Sequence, residues 1–96
     1  MAFLRIAVFH IENAPDDALE IWDDLVGSAL RNNPDCSQVM ISHRGTNYAV
    51  VSTWTSEDRF HEWMESKPSK DVIATVAARL GISGSPEPAF HFEGEV

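Results

Sequence analysis

The side chains most able to do chemistry in this chain are two tryptophans, one arginine and four histidines. Trp54 and Trp63 flank a short polar stretch and could wall a pocket for a planar ligand, each offering an indole N–H as donor, or simply fill a core. Arg5 is a lone charge inside the apolar run Phe3–Ile11, where it could pair with an acid or hold an anionic oxygen of a substrate. His43 and Tyr48 face each other across a predicted hairpin, a pairing that suits acid/base work near neutral pH as well as an ordinary surface contact at a turn. Tyr48 and Trp54 lie toward opposite ends of one strand, roughly 20 Å apart at about 3.3 Å per residue, so the His43–Tyr48 pair and Trp54 do not share one small site. His10, His43, His61 and His91 fall on four different elements with no metal-ligand spacing, and no metal site is expected. Cys36, the single cysteine, has no base beside it in sequence and reads as a small, partly buried residue rather than a nucleophile.

The elements that must position these groups follow from periodicity. Residues 3–11 form a predicted strand, with Phe3, Arg5, Ala7, Phe9 and Ile11 on one face and Leu4, Ile6, Val8 and His10 on the other. Both alternations are apolar, which calls for cover on both sides. Over 16–31, Leu19, Trp22, Leu25, Val26, Ala29 and Leu30 keep helical spacing, with Pro15 in the first turn and acids on the opposite, solvated side. Residues 36–43 and 48–54 predict a hairpin that places His43 opposite Tyr48, Ile41 opposite Val50, Val39 opposite Ser52 and Ser37 opposite Trp54. The other face of that hairpin is mixed in polarity and uncharged, as an interface would be. A helix over 57–65 starts from Thr55 or Ser56, with Thr55-x-x-Asp58 as a capping box, and turns Phe60, Trp63 and Met64 inward. Lys67-Pro68 ends it, and a further helix over 69–80 closes at Gly81. A loop over 82–88 leads to a last strand, 89–96, with Phe90, Phe92 and Val96 on one side and His91, Glu93 and Glu95 on the other. The order is βαββα(α)β, an α+β, ferredoxin-like arrangement: a four-stranded antiparallel sheet with helices on one face and the other face bare.

Composition sets the outer bounds. The 96 residues suit one domain spanning the chain, and 44% hydrophobic with 23% charged residues suit a globular one. A net charge of -8 argues against nucleic acid or an anionic membrane as partner. No apolar run approaches the ~18–20 residues of a membrane span, and no leader is read at the N-terminus, so a cytoplasmic protein is expected.

The segment Val50-Val51-Ser52-Thr53-Trp54-Thr55-Ser56-Glu57-Asp58-Arg59-Phe60-His61-Glu62-Trp63 resembles the strand-to-helix signature of the antibiotic biosynthesis monooxygenase family, and Asn33-Pro34-Asp35-Cys36 is similar to that family's lead-in to its second strand. The resemblance implies a dimeric α+β barrel, in which two sheets close across a two-fold axis, and hence a homodimer through the bare sheet face. It also implies oxygenase chemistry on a small aromatic or quinol-like substrate, with a non-catalytic ligand-binding or regulatory barrel as the alternative. In the haem-degrading branch a strand Asn, a helix Trp and a helix His recur. Trp63 matches the Trp, whereas the other two positions fall on Ala7 and near Val72, so haem is disfavoured and no cofactor is expected. In the cofactor-free branch Trp54 matches a strand-ending Trp and Phe60 takes a Tyr position. The expected catalytic residues are Trp54, Arg5 and His43. The expected substrate contacts are Trp63, Phe60, Ala7, Phe9, Ser52 and Val72, around a pocket between sheet and helices.

Overall fold

The fold is that of a computed structural model, which describes residues 1–82 and 86–96. Strands β1 (Phe3–His10), β2 (Cys36–Arg44), β3 (Asn47–Trp54) and β4 (Phe90–Glu95) form one sheet in the order β2-β3-β1-β4. All three pairings are antiparallel. β1 is central, as its two apolar alternations require. The predicted loop over 82–88 lies partly outside the described residues.

The register divides β1 cleanly. Phe3, Arg5, Ala7 and Phe9 oppose Trp54, Ser52, Val50 and Tyr48 on the face beneath the helices. Arg5 and Ala7 oppose Glu93 and His91 of β4 on that same face. Leu4, Ile6 and Val8 fall on the other face, beside Thr53, Val51 and Ala49. In the hairpin, His43–Tyr48, Ile41–Val50 and Val39–Ser52 pair as expected, but Cys36 and not Ser37 sits opposite Trp54. A bulge between Cys36 and Gln38 absorbs one residue, so the expected Ser37 position shifts by one. Ser37 is held there by hydrogen bonding to Thr53, with Oγ 2.8 Å from Oγ1 and 3.3 Å from the carbonyl oxygen that accepts from it.

Three helices are found among the described residues, all on one face. Helix α1 runs through Ala18–Trp22, a π-helical stretch Asp23–Gly27, and Ser28–Arg31. It starts at Ala18 rather than 16, because Pro15 and its neighbours spend themselves on a turn in which Asn13 adopts φ 56° and Ala18 N–H donates to the Pro15 carbonyl. The π stretch is pinned from outside. Arg31 donates to the Asp23 carboxylate at 3.0 Å and to the Asp23 carbonyl at 3.2 Å. That bridge lies over Gly27, where a Cβ would come within 2.8 Å of both partners.

Helices α2 (Glu57–Glu65) and α3 (Lys67–Leu80) meet at Ser66. The cap of α2 is Ser56, whose hydroxyl accepts from Arg59 N–H; Thr55, the expected alternative, instead ties to Asp35. Ser66 caps α3 by accepting from Ser69 N–H, and its own O–H donates 2.6 Å to the Trp63 carbonyl. Pro68 therefore lies in the first turn of α3, where a missing N–H costs nothing, and the helix starts at Lys67 rather than the expected 69. Gly81 closes α3 at φ 72°, the left-handed conformation glycine takes without strain. The core between sheet and helices is built from Phe3, Ile21, Trp22, Leu30, Tyr48, Val50, Trp54, Phe60, Val76 and Leu80.

Candidate functional site

Within that core is a partly open cavity of ≈ 110 Å³. The sheet contributes Arg5, Phe9, Val50, Ser52 and Trp54 to its wall, and the helices contribute Trp22, Phe60, Trp63, Met64 and Val72 among others. The positioning follows from local structure. Trp54 ends β3, two residues separate it from α2, and the chain reverses over the strand. Phe60 then meets Trp54 edge-on at 5.4 Å, and Trp63, three residues on, lies on the same side.

Of the residues expected at the site, Arg5, Trp54, Trp63, Phe60, Phe9, Ser52 and Val72 are brought together around the cavity. Ala7 and His43 are not. Ala7 is buried at 1% exposure, but its methyl is too short to reach the wall past its larger neighbours Arg5 and Phe9. His43 is exposed at the hairpin tip, stacked on Tyr48 with ring centroids 5.2 Å apart and 12° between planes.

The polar groups in the wall are few, and their states are specific. Trp54 is 1% exposed, and its indole N–H donates 2.9 Å to Ser52 Oγ, so it is engaged with the protein rather than offered to a ligand. Ser52 keeps its own O–H to donate. Arg5, the cross-strand partner of Ser52, lies over the Phe60 ring with Cζ 4.9 Å from its centroid, a cation–π arrangement. Burial holds the guanidinium below its ordinary pKa, and the nearby charge of Glu93 opposes this. The Glu93 carboxylate lies 3.7 Å from His91 Nε2, and among the described residues no carboxylate comes within ion-pair distance of Arg5. Among the described residues Arg5 Nε is buried without a hydrogen-bond partner, and so is Trp22 Nε1.

Trp22 is the residue that sequence reasoning placed in the core but not in the site. It packs on Phe9 at 4.9 Å and lines the cavity with Val26 and Leu30, four and eight residues on. In a regular helix of 3.6 residues per turn that spacing drifts around the surface. The wider i→i+5 turn at Asp23–Gly27 brings a four-residue step nearer to a full turn and keeps all three on the cavity side. Nothing in the apolar pattern distinguishes such a turn from an ordinary one.

Cys36 is partly buried with Sγ 3.4 Å from the Gln38 carbonyl, and desolvation pushes its thiol pKa up, which suits an inert thiol. Among the described residues no group of His, Cys, Asp and Glu could hold a metal ion, and no helix is long and apolar enough to cross a membrane. The haem reading fits poorly with the wall itself. Among the described residues that line the cavity there is no His or Cys to ligate a haem iron.

No protein-family model matches the chain, and no curated protein matches it. Solved structures do. SnoaB, a cofactor-independent oxygenase from Streptomyces nogalater, superposes with a TM-score of 0.73 at 14% identity, over 99% of this chain and 92% of that one. A Caulobacter crescentus CB15 protein provisionally assigned as an antibiotic biosynthesis monooxygenase gives 0.68 at 16% identity, over 99% and 89%. A dimeric Bacteroides fragilis protein of unknown function with a ferredoxin-like fold gives 0.73 at 10% identity, over 99% and 96%. Likeness at such identities is likeness of fold. The chain has the ferredoxin-like α+β fold found in antibiotic biosynthesis monooxygenases, as the Trp54–Trp63 segment led us to expect.

Proposed function

We propose that this protein is a cofactor-independent oxygenase of small aromatic phenols or quinols, acting in the cavity between sheet and helices as a homodimer. The observation that carries the reading is the aromatic enclosure of that cavity by Trp22, Trp54, Phe60 and Trp63 around Arg5, the one charged group among the described residues of the wall. The fold shared with SnoaB supports it by analogy. In such chemistry an ionised phenol gives its own electrons to O₂. One oxygen atom becomes a new ring carbonyl, the other leaves as water, and the phenol becomes a quinone. Arg5 and Ser52 would stabilise the phenolate, and the apolar wall would exclude water. A second reading, binding without turnover, is favoured by the wall's composition: among the described residues it contains no histidine and no carboxylate to take the phenolic proton.

Oxygen consumption with a panel of monocyclic quinols, measured against the quinols' own autoxidation, tests the first reading. Catalysis predicts enzyme-dependent uptake that saturates with substrate and gives one hydroxyquinone and no hydrogen peroxide per O₂. Saturable quenching of tryptophan fluorescence without added uptake would leave binding alone.

A further inference from the structure

We infer that the surface ion pair Asp23–Arg31 is a lock that sets the shape of the cavity: it holds α1 in its π register, and with it Trp22, Val26 and Leu30 on the wall. Asp23, Gly27 and Arg31 are then positioning residues that lie outside the cavity. The inference concerns how the cavity is built and goes beyond the proposed activity. Two pairs of residues in α1 are each eight apart, Trp22 with Leu30 and Asp23 with Arg31. In a plain α-helix, at about 100° per residue, such pairs stand roughly 80° apart around the axis. A π turn takes up one extra residue, so the pairs stand as if seven apart, roughly 20° from alignment. One register step therefore aligns both. Inside, it puts Trp22 and Leu30 on the same wall. Outside, it brings the Arg31 guanidinium onto Asp23, where it donates to the carboxylate at 3.0 Å and to the carbonyl at 3.2 Å. That carbonyl also accepts from Ser28 N–H, five residues on, which is the hydrogen bond of the π turn itself.

Gly27 points the same way. It has φ −57° and ψ −46°, ordinary right-handed helix that any residue adopts. Glycine inside a helix is destabilising, and no backbone need accounts for it here. What it provides is room: a Cβ would stand 2.8 Å from Arg31 Nη2 and from Asp23 Oδ1. Both atoms end flexible side chains, so an alanine would push the bridge aside rather than the backbone. The bridge is half exposed, and a pair so placed adds little to overall stability. A small bias suffices where the alternatives are two registers of one helix. The first half of α1 is anchored, with Ala18, Ile21 and Trp22 buried and Trp22 packed on Phe9. After the π turn only Leu30 is buried, so that half is the one that turns when the lock is removed.

The test reads the register directly. Scalar couplings across backbone hydrogen bonds, measured by NMR on the full chain, connect each amide nitrogen with the carbonyl carbon it bonds to. The wild type should connect Ser28 N with Asp23 C′. Arg31→Met keeps the side-chain stem and removes every donor, and Gly27→Ala displaces the bridge while keeping both charges. In each variant the Ser28–Asp23 coupling should be lost, and a coupling from the amide of residue 27 to Asp23 C′, the α-helical one, should take its place. Xenon, a single atom smaller than a benzene ring, then probes the cavity with no assumption about substrate. In the wild type it should shift the methyl resonances of Val26, Leu30 and Val72, and in the variants that of Val72 alone. Val26 decides, because Leu30 also borders a groove beside β2. If Arg31→Met keeps the Ser28–Asp23 coupling at its wild-type size, core packing sets the register and the inference fails. If the register changes but Val26 keeps its xenon shift, the lock does not control the cavity and the inference fails. If xenon moves no methyl in the wild type, the cavity is closed even to one atom, and the pocket reading fails with the inference. The first two failures leave the oxygen-uptake test untouched, since that test uses the wild type and its own substrates.

Discussion

The two tryptophans that attracted notice in the sequence do different jobs, and their burial separates them. Trp54 is sealed at 1% exposure, bonded to Ser52 and set edge-on against Phe60, whereas Trp63 is only partly buried at the cavity wall. Removing a sealed indole leaves a void and an unpaired Ser52, so Trp54→Ala should cost ~3–5 kcal/mol in denaturant unfolding. Trp63→Ala removes a wall with one free side and should cost about 1–2 kcal/mol, while abolishing most of the fluorescence quenching by an aromatic ligand. A stability loss for Trp63→Ala equal to that of Trp54→Ala, with ligand quenching intact, would make both residues core. The same scale shows where sequence reading stops. Arg5, Phe60, Ser52 and Val72 were placed at the site because strand alternation and helical spacing fix which way a side chain points. His43 was included on chemistry alone, and its strand position at the hairpin tip leaves it exposed on Tyr48, away from the cavity. Ala7 was included by correspondence with a larger residue in relatives, and a methyl on the right face does not reach the wall.

Among the elements, the strands and their register were legible because alternation has a period of two and the turn at Arg44–Asn47 sets the pairing. Two features were not. The bulge at Cys36–Gln38 changes register without changing composition, and the π stretch Asp23–Gly27 changes helical phase without breaking the apolar pattern. Around Pro68 the pattern gives the end of one helix at 65 but sets the start of the next one two residues late. The same residue ends a helix from within and starts one at its first turn, and only the Ser66 cap before it decides between the two. That cap is a joint for the site as well. Ser66 Oγ serves both helices, accepting from Ser69 N–H and donating to the Trp63 carbonyl, and these helices carry Trp63, Met64, Val72 and Val76 to the cavity. Ser66→Ala should therefore lower stability by about 1–2 kcal/mol, at the upper end for a cap. For a domain of this size that corresponds to roughly 4–16 °C in Tm. Ser66→Asp keeps the acceptor and should restore most of the loss. If Ser66→Ala melts with the wild type, the serine is not the joint.

At the scale of the whole molecule, the unresolved balance is the face of the sheet away from the helices. Across its middle run Met40, Val51, Ile6 and Phe92, one from each strand in pairing order, and beside them Ser42, Ala49, Val8 and Phe90. Met40 is 66% exposed, Phe90 58% and Phe92 49%. The Phe92 ring lies over Gly94, where a Cβ would meet it at 3.0 Å. The polar side chains on it lie at its two ends, Arg44, Asn47 and His10 at the hairpin turn and Gln38 beside Thr53 at the other, and leave the middle apolar. A single chain rarely leaves so continuous an apolar row in water, and a second copy of the same row is its simplest complement. The chain is small, too, so its own core supplies limited stability and a shared one would add to it. Sedimentation at micromolar concentration should then give a particle of twice 10.7 kDa. Phe92→Glu places a charge in the middle of that row, on a side chain already half exposed, so it should spare the fold of the chain and release monomers. Thermal unfolding of the wild type should shift upward with protein concentration, and that of Phe92→Glu should not, because only association couples stability to concentration. A wild-type chain that sediments at 10.7 kDa and melts independently of concentration would show that this face is left to solvent.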